Sequence, residues 1–286
     1  MPDTAQAAAA LDLIVACQAD PARACPYVGT ERDGILAEFA ELQPEWLATL
    51  RVGVRDGVVV AASCGDYDEE THRSWIQGPW AADDAAWASY ADALVDAVIA
   101  QAPAGVDDHE ICGTPRNAGL AEVAARRGWH PSEVNIAYVA RATDGWPEPS
   151  TGVRAGTMAD LPALSVLHDL AFPGTYAAAR LLLADEDRIT LLLDGPEATL
   201  AGYASAKVQP DGAGYLDFIA IAPGARGQGL SKGLLSAIGR RILAAAPNDD
   251  VNLTVVETNR PAVALYESFG FVRDIEMVAY RSRPRA

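Results

Sequence analysis

The sequence predicts an α/β (α+β) protein made of two similar halves in tandem. Short β-prone runs alternate with segments whose apolar residues recur at helical spacing, which indicates sheets flanked by helices. The order of these segments in the first half returns in the second. At 286 residues, of which 50% are hydrophobic, the chain is long enough for two domains of ordinary size.

The first half alternates helix and strand patterns. Arg55-Asp56-Gly57 separates two β-prone runs and predicts a hairpin with an Asp-Gly turn. Asp83-Asp84 opens a helix, because aspartate is a favoured N-cap. The predicted segments are helices at 11–19 and 34–42, strands at 50–54, 58–63 and 73–77, a helix from 83 to about 98, a strand at 110–112, a helix at 117–127 and a strand at 134–140.

The second half follows a connector at 143–157 that is rich in Gly, Pro, Ser and Thr. We place the domain boundary there, with one domain at 1–145 and another at 146–286. Asp160 and Pro162 begin the next helix as N-cap and first-turn proline. The predicted segments are helices at 160–171 and 176–183, strands at 188–193, 199–208 and 215–221, a helix from 230 to about 242, a strand at 251–257, a helix at 260–269 and an extended run at 271–280.

The two halves align near their ends at an offset of 142 residues, the separation of Asn117 and Asn259. Four positions are identical, a fifth is aromatic in both halves, and the elements come in the same order, so we interpret the chain as a duplicated domain. The matched pairs are Asn117 with Asn259, Gly128 with Gly270, Trp129 with Phe271, Ala137 with Ala279, and Tyr138 with Tyr280.

A glycine loop at 226–231 separates the buried strand at 215–221 from an amphipathic helix. The first amides of a helix have no intrahelical acceptor, and residues without a Cβ let an anion approach the backbone closely. No Gly-Lys-Ser/Thr ending follows, and Gly227 and Gly229 lack the third glycine of a dinucleotide fingerprint. The pattern therefore indicates a pyrophosphate cradle preceded by Arg226, with an ordinary glycine-rich turn as the alternative.

The first half differs at the corresponding places. Trp80-Ala81-Ala82-Asp83-Asp84 replaces the glycine loop, and two carboxylates at a helix N-terminus would satisfy its amides and repel a pyrophosphate. Ala124 stands where the second half has Tyr266. We therefore expect the first half to be a degenerate, structural partner.

With these motifs the second half, over about 153–282, resembles the GNAT superfamily of N-acetyltransferases. Arg226-Gly227-Gln228-Gly229-Leu230-Ser231 is similar to that family's Gln/Arg-x-x-Gly-x-Gly/Ala signature, with Ser231 in the last position. Asn259-Arg260-Pro261-Ala262-Val263-Ala264-Leu265-Tyr266, followed by Gly270-Phe271, matches its second signature, Asn-x-x-Ala-x-x-Leu-Tyr and then Gly-Phe. The whole chain resembles tandem GNAT proteins, with an architecture similar to that of mycothiol synthase.

The resemblance implies two GNAT domains, each a mixed, mostly antiparallel sheet flanked by helices, and acetyl-CoA as cofactor. It makes Tyr266 the general acid at the coenzyme sulfur; the alternative is a core aromatic on an apolar helical stripe. In that arrangement a backbone amide of the central strand also polarises the thioester carbonyl. The implied cofactor-binding residues are Ile219, Ala220 and Ile221 on the central strand, Arg226, Gly227, Gln228, Gly229, Leu230 and Ser231 in the loop, and Asn259.

The general base is left between two carboxylates. Asp217 lies on the central strand and Glu257 at the end of the next, and each is equally explained as a strand-end carboxylate bonded to backbone or to an arginine. His168-Asp169 is predicted as a solvated pair on a helix face, with the substrate mouth as the alternative. Because no cysteine lies in the second half, we expect direct attack by the amine rather than a covalent acetyl-enzyme.

The composition excludes several classes of function. A net charge of −17 disfavours nucleic acid, whose binding depends on Lys and Arg. No apolar run is long enough to span a membrane, and we expect neither a signal peptide nor a metal site, because the first residues lack a basic stretch and the cysteines lack paired metal-ligand spacing. The four cysteines indicate free thiols in a reducing cytoplasm. A monomer and a homodimer both fit the pattern.

The sequence thus predicts an acetyl-CoA-dependent N-acetyltransferase that acts on a primary amine of a small molecule. One alternative is the acetylation of a cysteinyl amine, as in mycothiol synthesis. Another is a non-catalytic acyl-CoA sensor or scaffold.

Overall fold

The computed structural model describes residues 2–143, 145–196 and 199–284. The helices are α1 (Thr4–Gln18), α2 (Arg32–Ala40), α3 (Trp46–Thr49), α4 (Asp84–Ile99), α5 (Ala118–Arg126), α6 (Leu161–Ala171), α7 (Ala179–Ala184), α8 (Leu230–Ala245) and α9 (Arg260–Ser268). The strands are β1 (Arg51–Arg55), β2 (Val58–Asp68), β3 (Arg73–Ala81), β4 (Asp108–Gly113), β5 (His130–Pro131), β6 (Asn135–Ala140), β7 (Val153–Ala155), β8 (Arg188–Asp194), β9 (Leu200–Val208), β10 (Gly214–Ile221), β11 (Val251–Val256) and β12 (Val272–Arg281).

The chain divides into two compact units that do not follow the predicted boundary at 143–157. Unit one comprises 1–135 and 275–286, and unit two comprises 136–274. The last strand returns to unit one, where Val278 to Arg281 of β12 pair antiparallel with Gly113 to Glu110 of β4. Hydrophobic patterns identify strands but not their neighbours, so the sequence did not reveal this placement.

Unit one contains a mixed sheet with strand order β1-β2-β3-β4-β12, and β5 pairs with β12 as well. Only β3 and β4 among these neighbours run parallel. α1 and α2 pack on one face, where Ile14, Phe39 and Trp80 are buried. α4 and α5 cover the other face, where Val95 and Leu120 are buried.

Unit two contains a sheet with strand order β6-β11-β10-β9-β8-β7. β10 and β11 are parallel, while the ladders from β10 to β7 are antiparallel. α8 and α9 pack on one face over Leu216 and Leu234, and α6 and α7 on the other over Leu164 and Phe218. The prediction of mixed, mostly antiparallel sheets flanked by helices is confirmed.

The helices near the end of each half have the same bounds at the predicted offset. α5 begins at Ala118 and α9 at Arg260, and both are nine residues long. Asn117 caps α5 through its side chain, which accepts a hydrogen bond from the Leu120 amide at 3.0 Å. Asn259 caps α9 in the same way. Local sequence therefore specified these helices correctly in both halves.

The connector at 143–157, of which residue 144 lies outside the described residues, is mostly exposed but carries the buried Trp146. Trp146 is buried, its indole N–H donates to the Phe269 carbonyl at 2.7 Å, and its ring stacks on Phe271. Gly239 on α8 makes room for it, because a Cβ there would lie 2.4 Å from the indole ring. Trp146 thus joins the connector to the unit-two core.

All four cysteines are free and buried, as expected. Within the described ranges no helix is long and apolar enough to cross a membrane. The same ranges contain no group of three His, Cys, Asp or Glu side chains suited to a metal ion.

Candidate active site

The parallel strands β10 and β11 separate partway along their length. Their register runs from Gly214 with Val251 to Leu216 with Leu253, although β10 continues to Ile221. At this point β10 also carries a bulge, since its register with β9 shifts between Leu216 and Phe218. Bulges commonly interrupt pairing and redirect side chains. The opening between the strands therefore begins beside Asp217.

Backbone groups of β10 line this opening. The Ala222 amide donates to the Ala201 carbonyl on β9 at 2.8 Å. Because antiparallel residues alternate between the two sides of a strand, Ala220 also bonds to β9, whereas Ile219 and Ile221 direct their N–H and C=O groups away from it. The Ile221 carbonyl accepts the Arg226 Nε–H at 3.2 Å. Of the three predicted strand residues, Ile219 and Ile221 thus face the opening, and Ala220 is engaged with β9.

The glycine loop after β10 forms an open, uncapped helix N-terminus. Gly227 and Gly229 have φ angles of 78° and 73°, in the left-handed region that favours glycine. A Cβ at either position would meet no atom within 4 Å. Gly229 is the N-cap of α8, so no side chain caps the helix, and its first turn has no acidic residue. The amides of Leu230 and Ser231 therefore start a helix whose positive end is exposed, which suits a phosphate group.

The corresponding helix of unit one is closed by a carboxylate. Asp83 caps α4 by accepting the Ala86 amide at 2.7 Å, and Arg55 donates to both of its oxygens, at 3.2 and 2.6 Å. The hydrogen bond from Arg55, followed by that from Ala86, lowers the pKa of Asp83 to about 2. A second anion at this terminus would meet a carboxylate already in place.

Tyr266 and Asn259 lie on and before α9. The Tyr266 side chain is buried, with ring centroids 6.4 Å from Tyr138 and 5.8 Å from Phe271. Among the described residues its hydroxyl has no hydrogen-bond partner. Burial, and secondarily Tyr215, raises the pKa of this phenol far above its ordinary value, so it stays protonated. Asn259 Oδ1 accepts the Ala262 amide at 3.4 Å, which orients its side chain at the start of α9.

The two carboxylates proposed as the base have different surroundings. Asp217 forms a buried ion pair with Arg188 and accepts a hydrogen bond from Tyr176. Glu257, directly after β11, is partly exposed, and its carboxylate has no partner among the described residues. For Asp217 the structure favours the alternative of a carboxylate bonded to an arginine, and Glu257 is the freer proton acceptor.

Tyr176 and Arg188 were not identified from the sequence, because they lie 41 and 29 positions from the carboxylate they contact. No local motif marks such pairs. The prediction of a solvated His168 was wrong: it is 1% exposed, its Nδ1 lies 2.5 Å from the Tyr203 hydroxyl, and its Nε2 lies 2.8 Å from the Ala177 carbonyl. It is therefore a core residue that joins α6 to β9 and to the segment before α7.

Comparison with protein families gives a match over part of the chain. Residues 162–271 match the family described as Acetyltransferase (GNAT) family. A mycothiol acetyltransferase from Thermomonospora curvata is 39% identical over 98 residues, which cover 34% of this chain and 33% of the relative. A mycothiol acetyltransferase from Kineococcus radiotolerans is 30% identical over 185 residues, covering 58% of this chain and 59% of the relative. The chain thus matches less than two thirds of each relative.

Solved structures resemble the chain over its whole length. A GCN5-related N-acetyltransferase from Sphaerobacter thermophilus has a TM-score of 0.72 and 17% identity, covering 100% of this chain and 95% of that chain. A tandem GNAT protein from the clavulanic acid biosynthesis pathway has a TM-score of 0.60 and 16% identity, covering 99% of this chain and 97% of that chain. At these identities the likeness establishes a shared fold.

Proposed function

We propose that the chain, whose residues 162–271 match the GNAT acetyltransferase family, is an acetyl-CoA-dependent N-acetyltransferase acting on a primary amine of a small molecule. One observation carries the proposal. An uncapped helix N-terminus, reached through Gly227 and Gly229, follows a strand that has separated from its parallel neighbour. This combination offers amides for a pyrophosphate and an open strand edge for the extended arm behind it.

Acetyl-CoA supplies the acetyl group as a thioester. The residues that would hold it are the loop Arg226 to Ser231, the backbone groups of Ile219 and Ile221, and Asn259 at the start of α9. Arg226 is exposed, and its Nε is fixed on the Ile221 carbonyl. Its guanidinium thereby lies at the junction of strand and loop, where it adds positive charge for a phosphate.

Tyr266 would donate the proton that the leaving thiolate requires. Burial raises its pKa, so the phenol is protonated at neutral pH, and its hydroxyl, which has no hydrogen-bond partner among the described residues, is free to donate. Glu257 would accept the proton of the attacking amine, directly or through water. An alkylamine has a pKa near 10, so a proton acceptor is needed to generate the neutral nucleophile at pH 7.

We assign the chemistry to unit two and a supporting role to unit one. Asp83 occupies the helix terminus that corresponds to the glycine loop, and Ala124 stands in place of Tyr266. The free, buried thiols of unit one agree with the reducing environment of a cytoplasmic enzyme.

The proposal is tested by incubating the purified protein with acetyl-CoA and a panel of amines while released CoA is measured with a thiol reagent. We expect at least one small primary amine to accelerate CoA release, and the product to carry one acetyl group by mass spectrometry. Binding of acetyl-CoA without turnover of any amine would instead support the acyl-CoA sensor.

A second acceptor has specific support. Both curated relatives are named mycothiol acetyltransferase, and one is 39% identical over 98 residues. A cysteinyl amine therefore belongs in the panel, beside an alkylamine of similar size. A kcat/KM for the cysteinyl amine at least tenfold above that for the alkylamine would identify it as the preferred class.

A further inference from the structure

Two residues of the segment between α6 and β8 contact one buried ion pair of the sheet. Arg188, the first residue of β8, contacts Asp217 at the bulge of β10 and lies 3.3 Å from Asp185, measured from Nε to Oδ2. Asp217 also accepts a hydrogen bond from the hydroxyl of Tyr176, in the turn before α7. Tyr176, which precedes α7, and Asp185, which follows it, therefore both contact the ion pair of Arg188 and Asp217.

The Asp217 carboxylate is buried and has a protein donor on each of its oxygens. The side chains of Asp217 and Arg188 are each 2% exposed, so solvent hardly screens their attraction. Both carboxylate oxygens are occupied, Oδ1 by Tyr176 and Oδ2 by Arg188. A proton from the amine would therefore have to displace Tyr176 or Arg188 from the oxygen that it occupies.

Through its hydrogen bond to Asp217, the ion pair orients the ring of Tyr176. This ring is 54% exposed, although its hydroxyl reaches a nearly fully buried carboxylate. Its centroid lies 5.8 Å from that of Phe218, on the α6–α7 face of the sheet. Because Asp217 directly follows Leu216, where pairing of β10 with β11 ends, Tyr176 lies at the edge of the opening described above.

We propose that Asp217 and Arg188 are positioning residues that hold Tyr176 at this opening, and that the exposed ring of Tyr176 contacts the acceptor amine. The inference rests on the proposed function. An amine arrives as a cation, and the face of a phenol ring attracts a cation electrostatically. Tyr176 therefore contributes to acceptor binding, and Asp217 acts on the acceptor through Tyr176 rather than on its proton.

The test compares Tyr176→Phe, Asp217→Asn and the double variant. Tyr176→Phe keeps the ring and the ion pair but removes the hydroxyl that orients the ring. We expect each single variant to raise KM for the amine about five- to tenfold, with KM for acetyl-CoA unchanged and kcat within about threefold. The double variant should raise KM for the amine no further than Asp217→Asn does, because both single changes remove the contact between Tyr176 and Asp217. When kcat/KM is measured against pH, the midpoint of its fall on the acidic side should be the same in every variant as in the wild type.

Tyr90→Phe is the matched control, because its hydroxyl also makes one hydrogen bond, to the Val54 carbonyl at 2.7 Å, but lies in unit one. This variant should keep both KM values. Asp217 would instead be the general base if Asp217→Asn lowered kcat a hundredfold or more and removed the acidic limb from the pH dependence of kcat/KM, while Tyr176→Phe kept the wild-type kinetic constants. Thermal denaturation establishes whether Asp217→Asn is folded. If it is not, the effect of Tyr176→Phe on KM for the amine, compared with its effect on KM for acetyl-CoA, decides whether Tyr176 contributes to acceptor binding.

Hydrogen exchange separates this inference from the proposed function. In Tyr176→Phe we expect amides at 172–178 to exchange at least fivefold faster than in the wild type, while those of α8 stay unchanged. Unchanged exchange at 172–178 would overturn the positioning role. This measurement decides the positioning role even if the wild type turns over no amine, in which case only the proposed function has failed.

Discussion

At the scale of single residues, Tyr266 combines a buried ring with a hydroxyl that makes no hydrogen bond to the described residues. Replacing it with Phe removes one oxygen and leaves the packing against Tyr138 and Phe271 intact. We expect Tyr266→Phe to lower kcat by roughly tenfold to a thousandfold, since a proton donor is lost. Released CoA measures the rate, and a melting temperature within about 2 °C of the wild type shows that the fold is kept.

The pH dependence of the wild type adds a check on Tyr266. Burial raises its pKa, so the phenol stays protonated throughout the neutral range and loses its proton only above the ordinary tyrosine value of about 10. The rate should therefore show no alkaline loss due to Tyr266 below about pH 10. Normal turnover by Tyr266→Phe would exclude this residue as the acid.

Residues also mark the limit of what the sequence predicted. Tyr266, Asn259 and the two loop glycines were found because each belongs to a local motif whose spacing is visible in the chain. The partnership of Asp217 with Arg188 was not, because it joins residues on β8 and β10. The sequence could place Asp217 on a strand, but it could not show that Arg188 is its partner or that the two charges offset each other.

At the scale of elements, the start of α8 depends on glycines for two separable reasons. Gly229→Ala should destabilise unit two by about 1–2 kcal/mol, since a Cβ strains a residue with a φ of 73°. The added methyl would also project into the open space over the first turn of the helix. We therefore expect KM for acetyl-CoA to rise at least tenfold, measured with saturating amine.

Gly128→Ala provides the control for this prediction. Gly128 has a φ of 68°, and a Cβ there would also meet no atom within 4 Å, but it lies after α5 in unit one. The strain should be similar and KM for acetyl-CoA unchanged. An equal rise of KM in both variants would mean that strain, and not access to the loop, limits binding.

At the scale of the whole molecule, the C-terminal strand contributes buried charge to unit one. Arg281 on β12 pairs with Asp108 and lies 3.5 Å from Glu110, measured from Nε to Oε2, and all three side chains are largely buried. Arg281→Ala leaves Glu110 without this cation and leaves Asp108 with Arg73, whose Nε lies 3.5 Å from Asp108 Oδ2. We expect the free energy of unfolding, measured with urea, to fall by about 3–5 kcal/mol.

Arg283 is a matched comparison two residues further on. It pairs with Asp107, but both side chains are more than half exposed. Solvent screens such a pair, so Arg283→Ala should lower the free energy of unfolding by less than about 1 kcal/mol. Similar losses in the two variants would contradict a buried role for Arg281.

The division of the chain into units leads to a test with fragments. The sequence places a domain at 146–286, whereas the compact unit spans 136–274. β6 explains the difference, because its Ile136 and Tyr138 are fully buried in the unit-two core. A fragment that begins at 146 loses these side chains, and burial of Ile136 alone contributes about 1.5–3 kcal/mol to the free energy of unfolding. The same fragment retains residues of β12 that pair with β4 in unit one.

We therefore expect the fragment 136–274 to unfold cooperatively in urea and to bind acetyl-CoA, while 146–286 shows no cooperative transition. Circular dichroism and calorimetry measure the two properties on the same samples. The opposite result, a folded 146–286 and an unfolded 136–274, would mean that β12 stabilises unit two more than β6 does. The outcome thus decides which terminal strand the duplicated fold uses to complete the unit that carries the glycine loop.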